Sequence, residues 1–269
     1  MILSIIAGIA AAAAFSARFN WWRSGVKGLP VLMYHNIGKA PASSRYKKLW
    51  VSPENFAKHM DYLKKHGYNF ISFTELAWSV KTGEPLPDNP VLVTFDDGYR
   101  NNYTEAWKIL KDKGGKGNIF LVYNTIGKHN AWQNPEEEPW QPMMTWEEIR
   151  EMQESGIMDF GSHTMNHPAL QNLAPETAAW ELRESRKRLG DRLGREVACM
   201  AYPYGGGALD ANVRKLAKEA GYVCDFGIRQ GISPLPWNAE EAALKRLLIR
   251  GDDTMLDFHL QLTRGKSRF

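Results

Sequence analysis

The chain has 269 residues, of which 43% are apolar and 24% charged, so it can bury a sizeable core and is not disordered. Its net charge of +4 is concentrated at one end. Residues 1–28 hold three basic residues and no acidic one, which leaves 31 basic and 30 acidic residues, or +1, for the remainder. A nearly neutral remainder offers no basic surface for nucleic acid, and this length predicts one large α/β domain.

The first predicted element is an apolar helix. Residues 1–17 carry no charge and would form a helix about 25 Å long, slightly shorter than a ~30 Å hydrocarbon core. Two tryptophans and two arginines follow within residues 18–23, a composition typical of a membrane interface. Residues 1–28 are therefore predicted to be a membrane anchor or a signal segment. The absence of positive charge before the apolar stretch favours an uncleaved anchor, while a signal peptide and a buried helix stay open.

The sequence leaves two alternatives for the side of the membrane on which the domain lies. The basic residues that follow the apolar segment favour a cytoplasmic domain by the positive-inside tendency, and a periplasmic or extracellular domain is the alternative.

From residue 29 onward, apolar segments of strand length alternate with segments of helical periodicity. The predicted strands are 30–35, 90–95, 117–122, 157–163 and 197–203, with shorter ones near 222–227 and 244–249. The predicted helices are 52–67, 72–80, 102–114, 145–156, 175–194, 209–221 and 254–262. Unbroken apolar strands that alternate with helices are typical of a parallel sheet covered by helices. About seven such units can close into a (β/α) barrel.

Polar residues collect where the predicted strands end. The stretch VLVTFDDG places Asp96 and Asp97 directly after an apolar strand, although an isolated Asp-Asp-Gly is usually a solvated turn. The stretch GSHTMNHP supplies His163 and His167, and Pro168 disfavours a helix there, so the imidazoles would converge from a loop. Barrel enzymes place their chemistry at the carboxyl ends of the strands. One carboxylate and two imidazoles are usual ligands of a catalytic divalent metal.

Three short motifs carry a resemblance to a known family. TFDDG, HTMNHP and AYPYG, in this order, resemble the first three motifs of the polysaccharide deacetylases, the nodulation-deacetylase-like carbohydrate esterases. PVLMYHNI and residues 51–72 are similar to the start of the family's domain, so the resemblance covers roughly residues 29–260. It implies a distorted (β/α) barrel over residues 29–269 and hydrolysis of N-acetyl groups on hexosamines in glycans. It also implies a divalent metal, often zinc, with Co²⁺, Ni²⁺ or Mn²⁺ as alternatives.

The resemblance further implies roles for individual residues. Asp97, His163 and His167 would bind the metal. Asp96 would be the general base that takes a proton from the attacking water, and the backbone N–H of Tyr204 would stabilise the oxyanion.

Two positions depart from the family's pattern. The third motif usually begins with an arginine that pairs with the base, and Ala201 stands there. The stretch LKRLLIRGDDT lacks the histidine that usually protonates the leaving amine. We expect Arg246 to replace the missing arginine beside Asp96. The proton donor is open between His35, for which a structural role is an equal alternative, and Asp96 itself.

The predicted function is metal-dependent removal of N-acetyl groups from hexosamines of a cell-surface polysaccharide or its precursor. The predicted partners are an N-acetylated glycan and a membrane, bound through the N-terminal segment, and the predicted protein is a monomer. One alternative is a catalytically inactive glycan-binding barrel. Another is an O-deacetylase or deformylase that acts on an amino-sugar lipid.

Residues 124–144 are predicted to form a long loop at the rim of the barrel, since the segment is rich in Pro, Asn and Trp. Trp132, Trp140 and Trp146 border it, and each is a candidate either for stacking on a sugar or for packing. Cys199 and Cys224 have neither metal-ligand nor redox spacing and are predicted to be buried thiols.

Overall fold

A closed barrel of parallel strands forms the centre of the molecule. The computed structural model describes residues 2–19 and 21–268. In chain order the strands are β1 (Val31–Tyr34), β2 (Asn36–Ile37), β3 (Trp50–Val51), β4 (Asn69–Phe70), β5 (Pro90–Phe95), β6 (Gly117–Leu121), β7 (Met158–Ser162), β8 (Cys199–Ala201), β9 (Cys224–Gln230) and β10 (Leu244–Leu248). Seven of them follow one another in the order β1-β10-β9-β8-β7-β6-β5, and β5 pairs with β1 to close the barrel. The predicted fold class is thereby confirmed.

The helices cover the outside of this barrel. They are α1 (Ile2–Arg18), α2 (Pro53–Lys65), α3 (Phe73–Thr82), α4 (Lys108–Lys113), α5 (Trp146–Glu154), α6 (Pro175–Leu193), α7 (Ala211–Glu219) and α8 (Met255–Arg264), and a π-helix over Asn102–Trp107 precedes α4. Three helices begin with reciprocal capping boxes, in which the side chains of Ser72, Thr145 and Thr254 each accept from the backbone N–H three residues later.

Some short strands were not predicted from the sequence. β2 and β3 pair with each other in a separate two-stranded parallel sheet, and β4 extends the barrel sheet beyond β5. Each has only two residues, which is too short for a periodic pattern to identify.

Alternation along the strands determines which side chains enter the barrel. Val91, Val93 and Phe95 pack in the larger apolar cluster with residues of α2, whereas Leu92 belongs to a second cluster with Phe120 and other strand residues. Because side chains two positions apart share a face, Asp96 follows Leu92 to the inner side. By the same rule Arg246 follows Leu244, which is in that second cluster too. Two charged residues of opposite sign therefore enter one apolar interior.

The N-terminal helix is exposed and is held at its end by an ion pair. Every residue from Ser4 to Phe15 is exposed, which excludes a buried helix for this part of the chain. Both guanidinium nitrogens of Arg18 donate to the carboxylate of Asp257 on α8, at 2.9 and 3.0 Å. Within the described residues, no helix combines the length and the hydropathy needed to cross a membrane. The limits 1–28 and 29–269 stay predictions, and Met1, Asn20 and Phe269 lie outside the described residues.

Candidate active site

Asp96 and Asp97 point to different partners because the backbone turns sharply after β5. The Asp96 N–H donates to the Tyr34 carbonyl at 2.9 Å and so continues the pairing of β5 with β1. Asp97 and Gly98 then take φ values of +75° and +86°, in the left-handed region, and the Gly98 N–H donates to the Asp96 carbonyl at 3.0 Å. Only glycine adopts this region freely, so the position of Asp97 is a strained one that the surroundings maintain.

The two histidines lie in the loop after β7, outside any helix, as the sequence predicted. His163 bonds through Nδ1 to the Ala201 carbonyl oxygen at 2.8 Å. The His167 N–H donates to the Thr164 hydroxyl at 3.0 Å, and the backbone at His167 has φ +63°. The carboxylate of Glu181 on α6 accepts from the N–H groups of residues 165 and 166, at 2.8 and 3.0 Å. Helix α6 therefore holds the loop from outside the barrel.

Asp97, His163 and His167 converge on one point. The Oδ1 atom of Asp97 lies 3.4 Å from Nε2 of His163 and 3.1 Å from Nε2 of His167. One ligand atom from each residue falls within 4.8 Å of the others, and all three residues are buried. The described chain thus brings together the three predicted ligands.

The hydrogen bonding of His163 makes this cluster suitable for a cation. A carbonyl oxygen only accepts, so the contact to Ala201 places the ring proton of His163 on Nδ1 and leaves a lone pair on Nε2. That lone pair faces the carboxylate oxygen of Asp97, which also only accepts. A buried cation between two acceptors would relieve their repulsion, and a carbonyl behind the imidazole is the usual support of a metal-binding histidine.

Burial and neighbouring charges shift the pKa values of the cluster. Burial chiefly lowers the pKa of His163 to about 4, although Asp96 opposes the change, so this imidazole is neutral at neutral pH. Burial alone would raise the pKa of Asp97, but the charges and hydrogen bond of the surrounding histidines outweigh it and hold that pKa well below its usual value. An ionised carboxylate beside a neutral imidazole is the protonation state that metal binding requires.

Arg246 lies directly beside Asp96, in the position expected from the sequence. Its Nη1 and Nη2 atoms donate to Oδ1 and Oδ2 of Asp96 at 2.6 and 2.8 Å, and its Nε donates to the Gly227 carbonyl at 2.8 Å. Arg246 has no exposed surface. Burial would raise the pKa of Asp96, but Arg246 and then His163 and His35 outweigh it, so the pKa of Asp96 is lowered.

His35 and Tyr204 complete the set of predicted site residues. The Nε2 atom of His35 lies 4.0 Å from Oδ2 of Asp96, and its Nδ1 is buried without a hydrogen-bond partner in the described chain. Tyr204 follows β8 with a left-handed φ of +57°, and its ring meets the ring of His167 edge-on at 4.6 Å. Both residues line the same cleft as Asp96 and Asp97.

The cleft has a volume of about 440 Å³ and opens at the carboxyl ends of the strands. The predicted rim loop forms one wall. Glu138 in this loop is buried and accepts from the Ser44 hydroxyl at 2.6 Å and from the Arg45 N–H at 2.8 Å. The loop is therefore fastened across the barrel mouth to the segment between β2 and β3.

The three tryptophans near the rim loop have different positions. Trp132 lines the cleft and stacks on the His167 ring at 4.4 Å. Trp140 is exposed and stacks on His129 at 3.8 Å, whereas Trp146 packs against Tyr123. Among these candidates, Trp132 is the one that lines the cleft.

Sequence reasoning missed Tyr99, which is buried and lines the cleft. Burial, followed by the charge of Asp97, raises the pKa of its phenol well above the usual value, so the hydroxyl stays protonated beside that carboxylate. The adjacent motif DDGY was the available signal. Cys199 and Cys224 are both free and buried.

Comparison with known proteins identifies the family. The family model described as polysaccharide deacetylase matches residues 83–224, more than half of the chain. That range includes the two aspartates, the two histidines and both tyrosines described above, while His35 and Arg246 lie outside it. The chain belongs to the polysaccharide deacetylase family of hydrolases.

The individual relatives share less than a third of their aligned residues with this chain. YxkH of Bacillus subtilis (strain 168) is 31% identical over 195 residues, which are 72% of this chain and 62% of that protein. The poly-beta-1,6-N-acetyl-D-glucosamine N-deacetylase of Staphylococcus aureus is 25% identical over 240 residues, which are 82% of this chain and 78% of the relative. The chain thus spans less than two thirds of the length of YxkH.

Solved structures share the fold. The polysaccharide deacetylase BC0361 from Bacillus cereus superposes with a TM-score of 0.72 at 27% identity, over 88% of this chain and 69% of that one. IcaB from Ammonifex degensii superposes with a TM-score of 0.69 at 26% identity, over 89% and 97% of the two chains.

The cluster predicts metal binding that depends on its ligands. Replacing His163 with Gln removes one nitrogen ligand, and we expect the affinity for Zn²⁺, measured by calorimetry on the purified chain, to fall by a factor of about 100 or more. His66→Gln, which changes an exposed imidazole on the outside of the barrel, serves as the control. Equal zinc affinity in the folded His163→Gln variant and the wild type would contradict the assignment.

Proposed function

We propose that the protein is a metal-dependent hydrolase that removes N-acetyl groups from hexosamine residues of a cell-surface polysaccharide or its precursor. One observation carries the proposal: a buried Asp-His-His cluster and a second carboxylate line one cleft, and a buried arginine behind them binds both oxygens of that carboxylate. A barrel that only binds glycan has no need for that second carboxylate, so the arrangement favours a hydrolase.

Asp97, His163 and His167 would hold the metal. When bound, a divalent ion polarises the acetyl carbonyl and lowers the pKa of water, so that a nucleophile forms near neutral pH. A set of two imidazoles and one carboxylate suits zinc, and Co²⁺, Ni²⁺ and Mn²⁺ are the alternatives.

Asp96 acts as the general base in this proposal. Its low pKa keeps it ionised, and Arg246 fixes the orientation of both carboxylate oxygens. Asp96 takes a proton from the attacking water, while the backbone N–H of Tyr204 donates to the oxygen of the acetyl group as negative charge develops there. Trp132 and Tyr204 both contact the His167 ring and reduce the access of bulk water to it.

His35 supplies the proton to the leaving amine. It lies at the end of β1 and lines the cleft, and its Nε2 is 4.0 Å from Oδ2 of Asp96. A closure of about 1 Å would bring the two atoms to hydrogen-bond distance, at which the proton taken up by Asp96 can pass to His35. Its buried Nδ1 has no partner within the described residues. His259, on α8, is a less suitable donor, because its Nδ1 already contacts the Tyr62 hydroxyl at 2.6 Å.

The aromatic lining of the cleft supports a glycan as the substrate. Tyr46, Trp50, Trp132 and Tyr204 all contribute to its walls, and aromatic rings present flat apolar faces on which sugar rings can pack. The Staphylococcus aureus relative, whose name states that it deacetylates poly-beta-1,6-N-acetyl-D-glucosamine, supports an N-acetylated hexosamine.

The first test removes the base and the arginine in turn. Asp96→Asn should lower kcat on an N-acetylated chito-oligomer by about 10²–10⁴, because the base is lost. Arg246→Lys keeps the charge but loses the two-pronged contact, and we expect a loss of about tenfold or more in kcat, measured as amine release. Breaking a buried ion pair can cost about 3–5 kcal/mol of stability, so thermal unfolding of each variant is followed in parallel. If folded Arg246→Lys and Arg246→Ala retain full activity while Asp96→Asn does not, the assignment of Arg246 is wrong.

The second test concerns the proton donor. His35→Gln should slow release of the amino sugar by about 10²–10⁴, since a poor leaving group needs a proton. The same variant should hydrolyse 4-nitrophenyl acetate almost as fast as the wild type, because a phenolate leaves unprotonated. His66→Gln is the matched control and should change neither rate. An equal loss on both substrates would point to a structural role for His35 and leave Asp96 to return the proton.

The N-terminal helix is proposed to attach the chain to a membrane. Its exposed side carries Ile5, Ile6, Ile9 and Phe15, and two exposed tryptophans follow it. We expect the full chain to sediment with phospholipid vesicles and the Ile5→Asp/Ile9→Asp variant to stay in the supernatant. Leu209→Asp, at an apolar barrel residue that is 84% exposed, is the control and should still sediment. A wild-type chain that does not bind vesicles would refute the attachment.

A further inference from the structure

A second pocket adjoins the cleft at the end of β10. It has a volume of about 210 Å³, and Gln230, Leu248 and Arg250 line both spaces. The charged residues that line it are Arg250, Asp253, Lys266 and Arg268. We refer to it as the basic pocket. No role in the proposed reaction uses it.

The only acidic side chain among these four is already occupied. One oxygen of Asp253 accepts from Arg268 at 2.5 Å, and the other accepts from the Arg250 N–H and from the Gln261 amide, both at 2.9 Å. Arg268 also contacts Asp252 and Asp257, each at 3.4 Å. Its charge is therefore shared among three carboxylates.

Arg250 and Lys266 are in a different situation. Both are partly buried, and neither the guanidinium nor the ammonium group has an acidic partner among the residues that the structure describes. Two positive charges thus line this space, and the one carboxylate that also lines it, Asp253, is paired with Arg268. An anionic group that enters this space would gain charge-assisted hydrogen bonds from both.

We infer that the basic pocket binds a phosphate group carried by the same molecule whose N-acetylated sugar occupies the cleft. The inference rests on the proposed function and narrows its substrate class to phosphate-bearing amino sugars. Phosphate matches the pocket because its several oxygens can accept from a planar guanidinium and from an ammonium group at once. Arg250, which lines both spaces, would join the two parts of the binding site.

A chain of ion pairs joins the wall of this pocket to the N-terminal helix. Arg268 contacts both Asp253 in the pocket and Asp257 on α8, and Asp257 in turn accepts from Arg18 at the end of α1. The carboxyl-terminal end of the exposed apolar helix is therefore joined to the wall of the pocket by ion pairs, which makes a lipid attached to the bound phosphate an option to test. The source of the phosphate, a soluble sugar phosphate or a lipid-linked one, becomes an arm of the experiment.

The experiment compares matched substrates on the full, metal-loaded chain. N-acetylglucosamine 1-phosphate is measured against the neutral methyl glycoside of N-acetylglucosamine, and we expect a lower KM for the phosphate. In Arg250→Gln/Lys266→Gln the KM for the phosphate should rise by about tenfold or more, and by a larger factor than the KM for the neutral sugar. Lys187→Gln, which removes an exposed charge on α6, should change neither. Equal KM values in the wild type, or equal rises in the double variant, would overturn the inference.

Two further arms separate the remaining readings. The same sugar phosphate on a polyprenyl chain in detergent micelles identifies a lipid-linked substrate if its KM is the lowest, and a soluble one if it is not. An N-acetylated disaccharide with a uronate in place of the phosphate overturns the assignment to phosphate if it binds equally well.

If no substrate is hydrolysed, the proposed function fails on its own, and calorimetry with the sugar phosphate still tests the pocket. Weaker binding by the double variant supports it, and unchanged binding refutes it.

Discussion

The buried ion pair between Arg246 and Asp96 is the interaction on which the rest of the site depends. A guanidinium with no exposed surface is tolerated in an apolar interior only if its donors are satisfied. Here Asp96 accepts two of them and the Gly227 carbonyl a third. The two charges come from β10 and β5, which lie on either side of β1, so the pair spans the seam where the barrel closes. The contact that makes the buried arginine tolerable also fixes the orientation of the Asp96 carboxylate.

Two adjacent carboxylates can serve different purposes because the backbone separates them. The left-handed turn at Asp97 and Gly98 sends one side chain into the barrel toward Arg246 and the other toward the histidines. Such a conformation costs about 1–3 kcal/mol at a residue other than glycine. Four of the five described non-glycine residues with positive φ are Asp97, Thr164, His167 and Tyr204, all in the site's loops. Strain is thus concentrated where side chains must be aimed, and the rigid strands maintain it.

Much of this arrangement could be predicted from the sequence because it follows from chain order and strand length. The strands end at the chemistry-bearing motifs, and a parallel barrel brings those ends together whatever the details of packing. The hydrogen bonds from the histidine loop to Glu181 and from the Ser44 hydroxyl to Glu138 could not be predicted. They join residues 16 and 94 positions apart, beyond the span of any helix or strand periodicity, and no local pattern records which segments meet. The pairing of Arg246 with Asp96 was predictable only because Ala201 stands where the family usually has the arginine that pairs with the base.

The shift of the arginine from the end of β8 to β10 has a consequence for the proton donor. In the pattern that the family suggests, the region of β10 supplies a histidine to the leaving group. Here that strand places Arg246 against the base and continues into Leu248 and Arg250, which line the cleft and the basic pocket. In the proposed mechanism the donor then comes from a neighbouring strand, and β1 pairs directly with β10. His35, at the end of β1 and 4.0 Å from Asp96, satisfies that condition. The two departures from the family's pattern are therefore linked, because one strand cannot present both groups at the same place.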